Sequence, residues 1–145
     1  MQSIIRRMEE KDRIQVLEMM RIFYASDAVW SNGSVGIFEA DINACLSNNP
    51  YLEGYIFENT EDIQGYAMVA RSFSTEFGKP CIWIEDIYLK VEYRGCGIGS
   101  SFLNFIESKN PNSILRLEVE AENETAVNVY KKCGYTEIPY MEMKK

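Results

Sequence analysis

A run of glycines beside an arginine is the segment of this sequence with the clearest chemical potential. Arg94 opens it, and Gly95, Gly97 and Gly99 follow at alternate positions, between a stretch typical of a strand and one typical of a helix. Glycine permits positive φ and lets a ligand approach the backbone closely. The free N–H groups and the dipole of a helix start attract an anion, and the arginine adds a full positive charge. The segment therefore predicts a diphosphate-binding loop.

Two better-known phosphate loops do not fit this segment. A P-loop ends in Gly-Lys-Ser or Gly-Lys-Thr, whereas Gly99 is followed directly by Ser100. The dinucleotide fingerprint G-x-G-x-x-G has a different glycine spacing. The pattern that remains is R-x-x-G-x-G, and its plain alternative is a structural turn between a strand and a helix.

The residue inventory narrows the chemistry further. The chain contains no histidine, so Ser-His-Asp and Cys-His catalysis are excluded, and acid–base work falls to Glu, Asp, Tyr, Cys, Lys or water. Its four cysteines are widely spaced and form no C-x-x-C pair, so no metal site is predicted. Such cysteines are typical of free thiols in a reducing compartment. They lie at Cys45, Cys81, Cys96 and Cys133.

Length, charge and hydropathy bound the class of protein. A chain of 145 residues with 46% hydrophobic residues predicts a single folded domain over residues 1–145. Its net charge of −7 makes nucleic acid an unexpected partner and suits a cationic small substrate, although acidity often serves only solubility. Arg6 and Arg7 interrupt the first apolar residues, so we expect no secretion signal, no membrane partner and a cytoplasmic location.

The patterning predicts a mixed α/β domain whose central twisted sheet has six or seven strands, with about four helices. Three successive strands form an antiparallel meander, and the strand–loop–helix–strand unit around the glycines implies a parallel pair. Apolar spacing predicts helices over residues 10–24, 38–46, 100–109 and 125–132. Strands are predicted over residues 3–8, 51–58, 63–73, 81–91 and 114–119, with one or two more in 135–143.

In this context the loop resembles the acetyl-CoA-binding motif of the GNAT superfamily of N-acetyltransferases. Residues 114–135 resemble the second motif of that family: a strand, an asparagine, a short helix carrying a tyrosine, and a Gly-aromatic pair. The matching positions are Asn123, Ala126, Tyr130, Gly134 and Tyr135. The resemblance covers residues 63–138 well and the first half only in layout. Residues 83–103 are most similar to the diamine and polyamine acetyltransferase branch.

The resemblance implies how acetyl-CoA would be held. Leu89 and Val91 would bind the pantetheine arm through backbone groups, and Asn123 would contact the arm, unless it only caps the following helix. Members of the superfamily often form dimers, so a homodimer is compatible with the resemblance, and the sequence leaves the oligomeric state open. The pyrophosphate would be held by Arg94, Gly95, Cys96, Gly97, Ile98, Gly99 and Ser100.

The resemblance also implies two catalytic residues. Glu85 lies at the place of the acceptor-side carboxylate and would take a proton from the amine, directly or through water. Tyr130 would lie near the cofactor sulfur and protonate the leaving thiolate, or serve only as a packing aromatic. Asp86 remains an alternative base, because adjacent strand residues point to opposite faces and only one of the two would face the site.

We therefore expect acetyl transfer from acetyl-CoA to the primary amine of a small molecule, with polyamines and diamines first. Trp83, Glu85 and Asp86 are the predicted substrate-binding residues. Trp30 and Tyr24 are further candidates for the acceptor pocket, although core packing explains them equally well. Two alternatives stay open: acetylation of protein N-termini or lysines, and a catalytically silent acetyl-CoA sensor.

Overall fold

A five-stranded sheet with helices on both faces forms the architecture of the computed structural model, which describes residues 2–145. The strands lie in chain order across the sheet, with antiparallel pairing from β1 to β4 and a parallel β4–β5 pair. The predicted class, meander and parallel pair are confirmed. The elements are β1 Ile4–Arg7, α1 Arg13–Tyr24, α2 Val35–Leu46, β2 Leu52–Glu58, β3 Ile63–Ser74, β4 Lys79–Leu89, α3 Ile98–Lys109, β5 Ile114–Leu117 and α4 Glu124–Lys132.

Each face of the sheet has its own buried cluster of apolar side chains. Helices α1 and α2 cover one face, where Val16, Met20 and Ile42 pack with Tyr66 of β3. Helix α3 covers the other face, and α4 packs at its border. Alternation along the strands supplies both clusters, since successive side chains point to opposite faces. None of the helices within residues 2–145 has the length and apolar character that a membrane-spanning helix needs.

The predicted count of six or seven strands is wrong, because the structure has five. Residues 135–143, expected to add one or two strands, carry no regular secondary structure. Pro139, in the middle of this segment, lacks an N–H donor and would interrupt a ladder there. The outer edge of β5 therefore has no neighbouring strand among the described residues.

Several element boundaries also differ from the prediction. Helix α2 begins at Val35, three residues early, because the Ser34 hydroxyl caps it by accepting from the N–H of Ile37 at 3.2 Å. Strand β4 ends at Leu89, so Val91 lies in a short 3₁₀ turn and not on the strand. Helix α3 begins at Ile98, inside the glycine loop.

Candidate active site

The glycine loop ends as the uncapped start of α3. Gly95 and Gly97 have φ of 75° and 83°, the left-handed region that glycine enters without cost, and Gly97 is the N-cap residue. A Cβ atom built on either glycine meets nothing within 4 Å, so both face open space. No side chain caps α3, and the first N–H groups of a helix have no partner within it. The loop thus presents free donors beside open volume, as an anion site requires.

Contacts with β4 fix this loop in place. The Arg94 Nε donates to the carbonyl of Leu89 at 2.9 Å, and its guanidinium lies 5.6 Å from the centroid of the Tyr88 ring. A Cβ on Gly99 would sit 4.0 Å from the side chains of Ile87 and Leu89, so the first turn of α3 rests directly on the strand. The loop and the end of β4 therefore form one rigid corner.

A gap opens between the two parallel strands beyond their short ladder. Only Cys81–Ile84 of β4 pair with Ile114–Leu117 of β5, although β4 continues to Leu89. From Glu85 onward, the edge of β4 that faces β5 has no ladder partner within residues 2–145. Unpaired strand groups of this kind are ready to bond an extended ligand. The strand rises about 3.3 Å per residue, so Glu85 and Leu89 lie about 13 Å apart along it.

A β-bulge at this point places two acids on one face. In the register with β3, Asp86 pairs with Met68 and Ile84 with Val69, so Glu85 is the extra residue. Ile84 and Ile87 both pack in the α3 cluster, which shows that the alternation shifts between them. Glu85 and Asp86 therefore share the α1–α2 face. The predicted opposition of the two side chains across the strand is therefore wrong, although only Glu85 of the two lines the cavity between β4 and β5.

Glu85 and Tyr130 open onto the same cavity, of about 810 Å³, between β4, β5, α4 and the C-terminal segment. Trp83 also lines it, with the guanidinium of Arg116 4.6 Å from the centroid of its ring. The glycine loop and Asp86 lie outside this wall. Three further carboxylates line the cavity: Glu118, Glu137 and Glu142.

Burial and like charge raise the pKa of two cavity carboxylates, Glu85 and Glu118. The pKa of Glu85 is raised, first by burial and then by Asp86, Glu142 and Asp41. A hydrogen bond to Glu142, with burial and repulsion added, raises the pKa of Glu118 to about 7. Burial also raises the pKa of the Tyr130 hydroxyl, so it stays protonated at neutral pH. Glu85, with its raised pKa, can accept a proton, and the protonated Tyr130 can donate one. Both side chains face the same cavity.

Several other predicted site residues have clear structural positions. Asn123 caps α4, its Oδ1 accepting from the N–H of Ala126 at 3.3 Å, so the capping alternative holds. Trp30 is exposed and lies under the ammonium of Lys144, outside the cavity wall. Tyr24 also lies outside the wall and bonds to Asp86 instead.

The sequence alone did not reveal the roles of Asp41, Glu118 and Glu142. Asp41 approaches the site from α2, where burial and Asp86 raise its pKa to about 6. Glu118 directly follows β5, a position that could have been flagged from the predicted strand end. Glu142 lies in a segment without secondary structure, and no local pattern marks it. Within residues 2–145, no group of three or more potential ligand side chains is arranged to hold a metal ion.

Comparison with known proteins identifies the family. The acetyltransferase (GNAT) family matches residues 15–135, so this chain belongs to that family. The resemblance seen in the sequence is thereby confirmed. Thialysine N-epsilon-acetyltransferase of Bos taurus is 37% identical over 83 residues, covering 55% of this chain and 48% of the relative. The Mus musculus protein of the same name is 34% identical over 83 residues, with the same coverage of both chains. The chain spans about half the length of the curated relatives it matches.

Solved structures show the same fold at low identity. A possible acetyltransferase from Clostridium difficile 630 superposes with a TM-score of 0.83 at 20% identity, covering 99% of this chain and 96% of the other. The enzyme AAC(6')-Iy, solved with a CoA bisubstrate analogue, gives 0.78 at 15% identity, covering 100% and 98%. A Clostridium acetobutylicum protein solved with acetyl-CoA gives 0.73 at 20% identity, covering 99% and 96%.

Proposed function

We propose that this protein transfers the acetyl group of acetyl-CoA to the primary amine of a small molecule. The observation that carries the proposal is the cavity shared by Glu85 and Tyr130, which lies where the β4–β5 ladder ends. Family membership supports the use of acetyl-CoA. The fit of the residues to both co-substrates follows from the geometry of the loop, the gap and the cavity.

The loop and the gap suit the two parts of a CoA molecule. Open space at Gly95 and Gly97, the free N–H groups of α3 and the charge of Arg94 match a diphosphate. Cys96, Ile98, Gly99 and Ser100 complete this segment. The unpaired edge of β4 between Leu89 and Glu85 would bond the amide groups of the pantetheine arm, with Val91 at its outer end. Asn123 keeps an amide N–H₂ for the same arm beside its capping bond.

Proton transfer is the work of two side chains. An alkylammonium has a pKa near ~10.4, so it must lose a proton before its nitrogen can attack. Glu85 accepts that proton, and Asp86 remains the alternative base behind it. Acetyl-CoA supplies the acyl group as a thioester; the new N–C bond forms as the C–S bond breaks. Tyr130 gives its proton to the departing sulfur. The second proton that the nitrogen loses as the amide forms passes through water to Tyr130, and the proton on Glu85 leaves to solvent.

The acceptor we favour is a small alkyl amine that carries a second charge. The cavity wall has an excess of carboxylates over the two cations Arg116 and Lys131; the carboxylates are Glu85, Glu118, Glu137 and Glu142. Trp83 adds an aromatic face to the same wall. Diamines and polyamines fit this description. Thialysine is a further candidate, suggested by the name of the curated relatives.

A panel of acceptors tests this choice, with release of CoA thiol as the signal. The panel contains putrescine, spermidine, thialysine, a neutral amino sugar and a lysine peptide, each at the same concentration. The proposal predicts the highest kcat/KM for the first three. Preference for the peptide would instead establish the protein-lysine alternative. Binding of acetyl-CoA without turnover of any amine would establish the sensor.

A further inference from the structure

Asp86 is a buried carboxylate directly after the candidate base, and the proposed reaction assigns it only as an alternative to Glu85. Its exposed fraction is 4%. Burial raises the pKa of Asp86, and hydrogen bonds from Tyr66 and Tyr24 oppose that effect in part. A charged group is stable in the interior only where hydrogen bonds compensate its lost hydration, so the partners of Asp86 are important.

Two tyrosines from different elements hold this carboxylate, one on each oxygen. The Tyr24 hydroxyl, at the end of α1, donates to Oδ1 at 2.8 Å. The Tyr66 hydroxyl, in β3, donates to Oδ2 at 2.7 Å. Bonds to a charged acceptor are shorter and stronger than neutral ones. Asp86 is thus fixed from the helix layer and from the neighbouring strand together.

Aromatic packing prevents these two tyrosines from following a displaced carboxylate. The Tyr24 ring lies 5.1 Å from that of Phe38 and 5.4 Å from that of Phe23, centroid to centroid. The Tyr66 ring is fully buried and lies 6.1 Å from that of Tyr88. Rings in packed contacts of this kind keep one rotamer. The position of Asp86, and with it the bulge, is set by the two clamped hydroxyls.

We propose that Asp86 is a positioning residue for Glu85: held by Tyr24 and Tyr66, it fixes the bulge that turns Glu85 into the cavity and keeps a second carboxylate beside Glu85. This inference rests on the proposed function, in which Glu85 is the base. Asp86 itself lies outside the cavity wall.

Among the charged groups around Glu85, Asp86 has the largest effect on the pKa of Glu85. After burial, Asp86 is the strongest of the influences that raise the pKa of Glu85, ahead of Glu142 and Asp41. Glu118 and Tyr24 also interact with Glu85 electrostatically. Loss of the Asp86 charge therefore lowers the pKa of Glu85. The other titratable groups on the cavity wall are Arg116, Tyr130, Lys131, Tyr135, Glu137 and Tyr140.

A carboxyl titration followed by NMR tests the electrostatic half of the proposal without any turnover. The side-chain carboxyl signals of the free protein are recorded against pH, and Glu85→Gln identifies the Glu85 signal. Asp86→Asn keeps the shape and can accept one of the two tyrosine bonds, but it removes the charge, so the Glu85 midpoint moves to lower pH. Tyr24→Phe moves it in the same direction, because an Asp86 with one bond fewer carries less charge. An unchanged midpoint in a folded Asp86→Asn protein, or in Tyr24→Phe if the first does not fold, overturns the proposal.

Steady-state kinetics test the positional half. Tyr24→Phe and Tyr66→Phe keep their rings but loosen the clamp, and we expect kcat to fall about 10- to 100-fold with unchanged affinity for CoA. Tyr55→Phe is the matched control, because it removes an equivalent bond, to Glu53 at 2.8 Å, outside the cavity wall. Equal kcat values in all three variants contradict the positional role. If the unmodified protein turns over no amine, the proposed function fails while the titration still decides the role of Asp86.

Discussion

The surroundings of Glu85 make it a better base than a solvated glutamate at neutral pH. Burial and the neighbouring carboxylates raise its pKa above that of a solvated glutamate, so it holds a proton more firmly. The base must be ionised to act. Activity is therefore lost as pH falls through the raised pKa of the folded protein, not through the lower value of a free glutamate.

The pH profile of Glu85→Gln checks this role. In the unmodified protein we expect kcat/KM to rise with pH, first as Glu85 ionises and then as the amine loses its proton. Glu85→Gln cannot accept a proton, so its rate falls most below the pKa of the amine, and the limb that belongs to Glu85 disappears. A variant profile parallel to that of the unmodified protein at every pH would remove Glu85 from the mechanism.

Tyr130→Phe tests the proposed acid. The change keeps the ring, which packs 6.1 Å from that of Tyr135, and removes only the hydroxyl proton. We expect kcat to fall by about 10²–10⁴-fold, with little change in the affinity for CoA. Tyr135→Phe is the control, since its buried hydroxyl has no hydrogen-bond partner in the described part of the chain. If both variants keep normal turnover, Tyr130 is a packing residue.

Residue identities in the site could be predicted from sequence only where a motif fixes them. Arg94, Gly97 and Tyr130 belong to such motifs. The order of elements correctly predicted that the first two lie in the loop before α3 and that Tyr130 lies on α4. The orientation of Glu85 and Asp86 was missed because it depends on a bulge in the register with β3; the shifted apolar spacing between Ile84 and Ile87 was the signal that could have indicated it. Glu142 reaches the cavity only through the tertiary fold, so no local sequence pattern could have indicated it.

At the scale of elements, one corner joins β4, the glycine loop and α3. Regular apolar spacing predicted each of these elements, and the glycines predicted the turn between them. The end of β4 escaped prediction because the chain turns there into a 3₁₀ turn, in which the N–H of Tyr93 donates to the carbonyl of Lys90 at 2.9 Å. The C-terminal segment was wrongly predicted as strand because its alternating apolar residues are typical of a strand, but Pro139 cannot donate to a ladder.

Gly97→Asp tests the anion site built by this corner. The substitution places a carboxylate in the open space beside the free N–H groups of α3, where it repels a diphosphate. We expect CoA affinity to fall at least 100-fold. Gly78→Asp is the matched control, because Gly78 also has a positive φ, of 64°, and open space around it, but lies in the β3–β4 turn. Equal CoA affinity in both folded variants would show that the loop binds no diphosphate.

At the scale of the whole molecule, the net charge of −7 and the cavity carboxylates favour a cationic acceptor. Salt screens such long-range attraction, with a Debye length near ~10 Å at 0.1 M. We expect kcat/KM for spermidine and putrescine to fall as salt rises from about 0.05 to 0.5 M, mainly through KM. The value for a neutral amine should stay nearly constant. Equal salt responses, with equal or better use of the neutral amine, would contradict the polyamine assignment and leave acetyl transfer intact.

The most direct test of the central claim follows a labelled acetyl group through one reaction. Purified protein is incubated with acetyl-labelled acetyl-CoA and putrescine, and labelled N-acetylputrescine and free CoA thiol are quantified together. The geometry of Glu85, Tyr130 and the glycine loop predicts one labelled N-acetyl product for each thiol released, and loss of both in Gly97→Asp. Thiol release without an N-acetylated amine, across the full panel of acceptors, would contradict the claim that this site acetylates amines.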